Sequence, residues 1–244
     1  MGNMGGLGMA EGPRIGYGYA VRRVMMDEMR EFAISGDVSV ATIDRAMSHI
    51  QGTKSRSHVV SVLRRIWTNP LLDHPLTREI LADPRQRLDL YWGLLVSAFP
   101  FVALTTRLIG MDLRLGNPVT SKSVLIKVIR HVGHTRRVEI AVQAVLTTLV
   151  DWELLARVKT GTYGSMPKRL VTHSHLLQWF ALVALTVERQ DRLALSHIEQ
   201  LPWLFPFSLD LSRQVFRGSP WFLLEQQGMH EMVVGLVQPV PLAK

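Results

Sequence analysis

The sequence predicts a mainly α fold: a helical body with an embedded helix pair followed by a small β-hairpin, and a second hairpin near the C-terminus. Three observations carry this. Apolar residues recur at spacings of three and four over most of the chain, the period of an amphipathic helix. Turn signals at Ser35-Gly36-Asp37, Asn69-Pro70, Gly116-Asn117-Pro118 and Gly133-His134-Thr135 cut that pattern into helix-length pieces. Strand-like runs are short and fall after Trp152 and after Pro220.

The chain of 244 residues is long enough to bury a sizeable core, and 47% hydrophobic with 20% charged residues is ordinary globular usage. Lys and Arg outnumber Asp and Glu by 28 to 20, a net charge of +8 that favours a polyanionic partner without choosing between nucleic acid and a membrane surface. The absence of cysteine excludes disulfide scaffolds, zinc ribbons and thiol catalysis, and fits a cytoplasmic setting. Residues 1–18 carry seven glycines, no apolar run of signal-peptide length and no Ser or Thr at the sixth position for myristoylation. They read as a flexible lead-in.

Residues 19–116 read as a helical N-terminal domain. Val21, Val24, Met25, Met29 and Phe32 mark a first helix, Ser39 caps a second that runs to about Ile50, and Gly52-Thr53 opens a third. That third helix carries Val59, Val62, Leu63, Ile66 and Trp67 on one face and Lys54, Arg56, Arg64 and Arg65 on its polar side. A solvated surface is the plain account of those cations. A short helix around Leu76–Leu81 follows, and Pro84 suits the first turn of a long apolar helix with a kink near Pro100. The run Leu90–Met111 is apolar enough to suggest a membrane span. Pro100, Arg107 and an unbroken apolar part ending near Leu104 argue instead for a buried central helix and no membrane.

The segment 117–173 carries the functional argument. Thr120 or Ser121 caps a helix to Gly133, and Thr135 caps the next, Arg136 to Trp152. In that second helix Val138, Ala141, Val142, Val145, Leu149 and Trp152 form one stripe, with Arg136, Ile140, Gln143, Thr147 and Asp151 on the opposite face. Leu155–Thr160 and Lys168–Thr172 read as two strands around the loop from Gly161 to Pro167. Lys122, Lys127, Arg130, His131, Arg136, Arg137, Arg157, Lys159, Lys168 and Arg169 fall in a stretch whose only acids are Glu139, Asp151 and Glu153. Cations in that density meet phosphates, and an exposed helix face reaches base edges in a groove. Arg136 suits guanine and Gln143 adenine, each bidentately, while Thr147 offers a methyl group. Arg157, Lys159, Lys168 and Arg169 are expected to flank the hairpin tip.

Helix, tight turn, helix and basic hairpin, with the phrase AVLTTLVDWELLARVKTGTYG, resembles the winged helix-turn-helix family, except that Glu153 stands where that family usually has glycine. The whole layout, with its basic helical N-terminal unit and apolar central helix, also looks like BrxA of the BREX phage-defence systems. These resemblances imply a winged-helix module at 117–173, double-stranded DNA as partner, no catalysis, and larger proteins of the same system alongside. A transcriptional regulator, or a subunit whose winged helix docks a protein, stays open. The region 174–244 reads as helices from His175 to about Val187, Asp191 to Gln200 and around Asp210–Phe216, then a hairpin of Trp221–Glu225 and Glu231–Leu236 turning at Gln226-Gln227-Gly228.

Enzymatic signals are thin. The pairs His131/His134 and His173/His175 lack a carboxylate cluster at ligand spacing, so no metal or cofactor is expected. Arg192 to His197 has the R-x4-H spacing of a helical ribonuclease family without the polar residue that usually follows the arginine, and chance accounts for it better. Nucleophile-elbow, P-loop and dinucleotide fingerprints are all missing from the sequence. Oligomeric state is not legible.

Overall fold

The computed structural model describes Val24, Met26, Asp27, Met29, Ala41, Arg45 and residues 47–81, 87–228 and 231–238. The lead-in 1–18, Pro84, most of the first expected helix and half of the second lie outside the described residues. Helix α1 (Thr53–Trp67), α2 (Pro75–Leu81), α3 (Arg87–Ala98) and α4 (Pro100–Arg114) are followed by strand β1 (Val119–Thr120), α5 (Ser121–Val132) and α6 (Arg136–Asp151). Strands β2 (Leu155–Lys159), β3 (Thr162–Ser165) and β4 (Arg169–Leu170) lead to α7 (Ser174–Glu188), β5 (Arg192–Ala194) and α8 (Leu195–Glu199). The described part ends with β6 (Phe207–Ser208), α9 (Arg213–Phe216), β7 (Phe222–Gln227) and β8 (Glu231–Leu236). It is mainly helical, as the periodicity predicts.

Helix α1 forms as expected: Val59, Leu63, Ile66 and Trp67 are buried, and the Asn69 side chain, which accepts from Leu71 N–H at 3.0 Å, caps the turn that follows. The apolar run is two helices, not one kinked helix. They meet at Phe99 with a bend of 113°. Pro100 has no N–H to continue α3 and forces extended backbone on Phe99 (φ −127°, ψ 97°), yet its fixed φ suits the first turn of α4. From Leu90 to Phe99 every residue but Ser97 is buried, the all-round burial expected of a core helix. No single helix among the described residues is long and apolar enough to cross a membrane.

Helix α3 lies along α7. Gly93 faces the Trp179 indole so closely that a Cβ there would come within 2.6 Å of its nitrogen. Trp92, Trp179, Phe180 and Trp203 are fully buried, and the Phe180 and Phe207 rings sit 4.9 Å apart. The connector LPWLFPF is therefore core, with Phe205 and Phe207 packed on Trp92. Helix α4 presses on this connector, where a Cβ on Gly110 would lie 1.9 Å from the Pro202 carbonyl oxygen. Arg107 and Trp203 both donate to Glu188 Oε1, the latter at 2.8 Å, which ties α4, the connector and α7 together.

Among the described residues, three small sheets decorate the helices. The first has strand order β1-β3-β2, all antiparallel, with Val119 opposite Tyr163. In the second, β4 and β6 pair in parallel. The third has order β5-β8-β7, and its β7–β8 hairpin falls in the predicted region, except that Gln226 and Gln227, expected in the turn, extend β7 opposite Met232 and Glu231.

Three further expectations need correction. The first hairpin's second strand is Thr162–Ser165, not Lys168–Thr172. A short turn closed by Gly161 in the left-handed region (φ 69°) brings the chain straight back, and Tyr163 is buried against β1. The helix expected over Asp191–Gln200 is a strand and a five-residue helix, because Arg192–Ala194 extends to pair with Val233–Gly235. The helix near Asp210 shortens to Arg213–Phe216.

Candidate nucleic-acid interface

Helix α5 begins with a reciprocal cap. Thr120 Oγ1 accepts from Ser123 N–H, and Ser123 Oγ accepts from Thr120 N–H, both at 3.0 Å. It ends at Gly133, whose φ of 82° and ψ of 167° a side chain would oppose. Thr135 Oγ1 then accepts from Val138 N–H at 3.3 Å and starts α6. The turn between the helices is the three residues predicted, and α5 and α6 pack on each other.

Helix α6 buries the stripe read from the sequence, with Val138, Ala141, Val142, Val145 and Leu149 all inside. Arg136, Ile140 and Gln143 are exposed and Thr147 is half-buried. At about 100° per residue these four fall within an arc of roughly 60°. Thr147 donates its hydroxyl to the Gln143 carbonyl at 2.8 Å. The other end of α6 is occupied: Thr148 Oγ1 accepts from Val24 N–H, Asp151 from Met26 N–H, and Trp152 donates to the Val24 carbonyl. The open part of the helix is its N-terminal half.

The predicted cations divide into two sets. Lys122, Arg130, Arg136, Arg137, Arg157 and Lys159 are exposed, and none forms an ion pair with an acid among the described residues. They lie on α5, on the first turn of α6 and on β2. The acids near them are occupied or apart: Glu139 accepts from His134 Nε2 at 2.7 Å, Asp151 is bonded to the backbone, and Glu153 follows the helix.

Lys127, Lys168 and Arg169 do not belong to this set in the manner expected. Lys127 forms an ion pair with Asp112, a carboxylate whose side chain is only 3% exposed, and so it neutralises an internal charge where α4 meets α5. Lys168 and Arg169 lie beyond the hairpin rather than at its tip. Arg169 pairs through β4 with β6, and its charge acts electrostatically on buried Asp89. Burial pushes the Asp89 carboxyl above its usual range, against which Arg169, a backbone hydrogen bond and His173 act in the opposite sense. Tyr163 packs inside and offers no stacking surface.

Sequence reasoning puts Ile140 on the outer face of α6 but gives it no role. It is 45% exposed amid Arg136, Gln143 and Thr147. Arg192 and His197 do share an open cleft of about 660 Å³ with Glu225 and Glu231, yet the Arg192 guanidinium is ion-paired to Glu225. His131 is exposed, and among the described residues no three His, Asp or Glu side chains gather in a way that could hold a metal ion. Compared with protein-family models, curated proteins and solved structures, the chain matches none.

Proposed function

We propose that this chain is a non-enzymatic protein that binds double-stranded DNA, with residues 100–165 acting as a winged helix-turn-helix and α6 as its recognition helix. The observation that carries the reading is the outward stripe Arg136, Ile140, Gln143 and Thr147 on a helix set among exposed cations. The order α4-β1-α5-α6-β2-β3, with β3 between β1 and β2, supports it, because that is the order a winged helix requires. In this reading α4 is the first helix of the module, and the β2–β3 hairpin is a short wing bearing Arg157 and Lys159. Phosphate contacts from Lys122, Arg130, Arg137 and the wing fix register on the duplex, and α6 reads bases in the major groove.

The resemblance in layout to BrxA carries the wider assignment, a component of a multiprotein bacterial DNA transaction such as phage defence. The test of the core reading is a mobility-shift titration of duplex DNA over a salt series. Neutralising about five phosphates gives a slope of log affinity against log salt near −4.5, a loss of roughly five-hundredfold between 50 and 200 mM salt. No duplex binding at low salt would overturn the reading in favour of a protein-docking module.

A further inference from the structure

Ile140 is the feature of this face that stability does not explain. It is 45% exposed and joins no core cluster. As a β-branched residue it is a poorer helix former than the Lys, Glu or Gln that would keep an outer position soluble. A single exposed isoleucine is commonplace. This one has an unusual setting. Arg136 and half-buried Thr147 bracket it along the stripe, Gln143 is its neighbour one turn on, and the Thr147 hydroxyl is engaged with the Gln143 carbonyl. The stripe therefore runs cation, apolar, amide, threonine over eleven residue steps, about 16 Å of helix or roughly five base-pair steps.

In the major groove the one apolar marker of sequence is the thymine 5-methyl group. We propose that Ile140 is a base-reading residue that packs on a thymine methyl, next to the adenine-reading amide of Gln143, so that the recognised duplex has A·T pairs at its centre and the guanine contact of Arg136 at one end. This rests on the DNA-binding reading above. It commits the apolar side chain to a DNA occupant, because Lys122, Arg130, Arg137, Arg157 and Lys159 on the neighbouring elements complement phosphate and outnumber the exposed apolar side chains there, Ile126 and Val158.

The experiment selects duplexes from a random-sequence pool with the full chain, then resynthesises the best binder with every thymine replaced by uracil, which removes only the methyl groups. Wild type is expected to bind the uracil duplex about fourfold more weakly for each thymine methyl that the protein covers, the value of one methyl moved out of water. Ile140→Ala should bind thymine and uracil forms with a ratio smaller by that factor, while Ile140→Val keeps most of the discrimination and both variants retain the wild-type melting curve. Equal affinity of wild type for the two duplexes, with binding weakened at least tenfold in Arg136→Ala, overturns the Ile140 proposal and leaves the DNA-binding reading standing. Absence of any duplex enrichment at low salt overturns both.

Discussion

Glu153 joins α6 to β2 through left-handed backbone, φ 55°, with its N–H donating to the Val150 carbonyl at 3.1 Å and Leu154 N–H to Leu149 at 2.9 Å. A Cβ in that region costs about 1 kcal/mol or more. The sequence flags the position, since glycine usually stands there in the family it resembles, and the structure gives the departure a physical meaning. Glu153→Gly relieves the strain and gives back part of the gain to greater freedom of the unfolded chain. The expected result is a net stabilisation of about 0.5–1 kcal/mol, read as a rise in Tm of about 1–4 °C. A fall in Tm would mean that the Glu153 side chain holds the turn by an interaction of its own. Caps such as Thr120 and Thr135 are legible for the same reason as Glu153: each is chemistry between residues three or four apart, which a sequence displays directly.

Between elements, legibility falls with sequence separation. Lys127 belongs by type and spacing to the basic cluster, and only the fold reveals that α4 brings Asp112 to it. The hairpin register is misread from the sequence for a related reason. The strand-like run Lys168–Thr172 has an attractive pattern, but its partner is β6, almost forty residues away. Lys127→Ala should leave a buried carboxylate without its counter-charge and cost about 1–3 kcal/mol of stability. In Lys127→Ala/Asp112→Asn most of that stability should return, with the salt slope of DNA binding little changed. A salt slope reduced by one at unchanged stability would return Lys127 to the phosphate-contacting set. Another long-range interaction joins α2 to the C-terminal sheet: the Trp221 ring lies edge-on to His74 at 5.9 Å and to His175 at 6.3 Å, with His175 held 3.2 Å from Glu79. Burial lowers the His74 pKa from 6.5, and its Nδ1 accepts from Leu76 N–H at 3.3 Å, a bond only the neutral ring can make. The unfolded chain thus binds this proton more tightly than the folded one, so stability declines as pH falls through about 6.5. His74→Asn, which keeps an acceptor and does not titrate, should show a smaller drop in Tm between pH 7.5 and 5.5 than wild type. An identical drop in both would assign the dependence to another group.

At the scale of the whole molecule, net charge says only that a polyanion is attracted, and the fold decides where. Two basic surfaces compete for that role, α1 and the α5–α6–β2 region. The first reads from the sequence as a solvated flank, yet one of its cations is committed inward: Arg65 donates to the Ala98 carbonyl at 2.9 Å and sits 4.9 Å from the Phe99 ring centroid. Reversing Arg65 would therefore disturb α1 against α3 and confuse a binding measurement. Lys54 and Arg64 are exposed on the same helix and make the fair comparison. Lys54→Glu/Arg64→Glu and Arg136→Glu/Arg137→Glu change the net charge by the same amount, so any difference between them reports placement. Acidic residues in the first turn favour a helix N-terminus, so the second pair does not weaken α6. If α6 enters the groove, Arg136→Glu/Arg137→Glu should lower duplex affinity at least tenfold more than the α1 pair at equal salt and reduce the salt slope by about one, for the phosphate contact of Arg137. Equal effects from the two variants would spread the footprint over both surfaces, and a larger effect from the α1 pair would move it to the N-terminal helices.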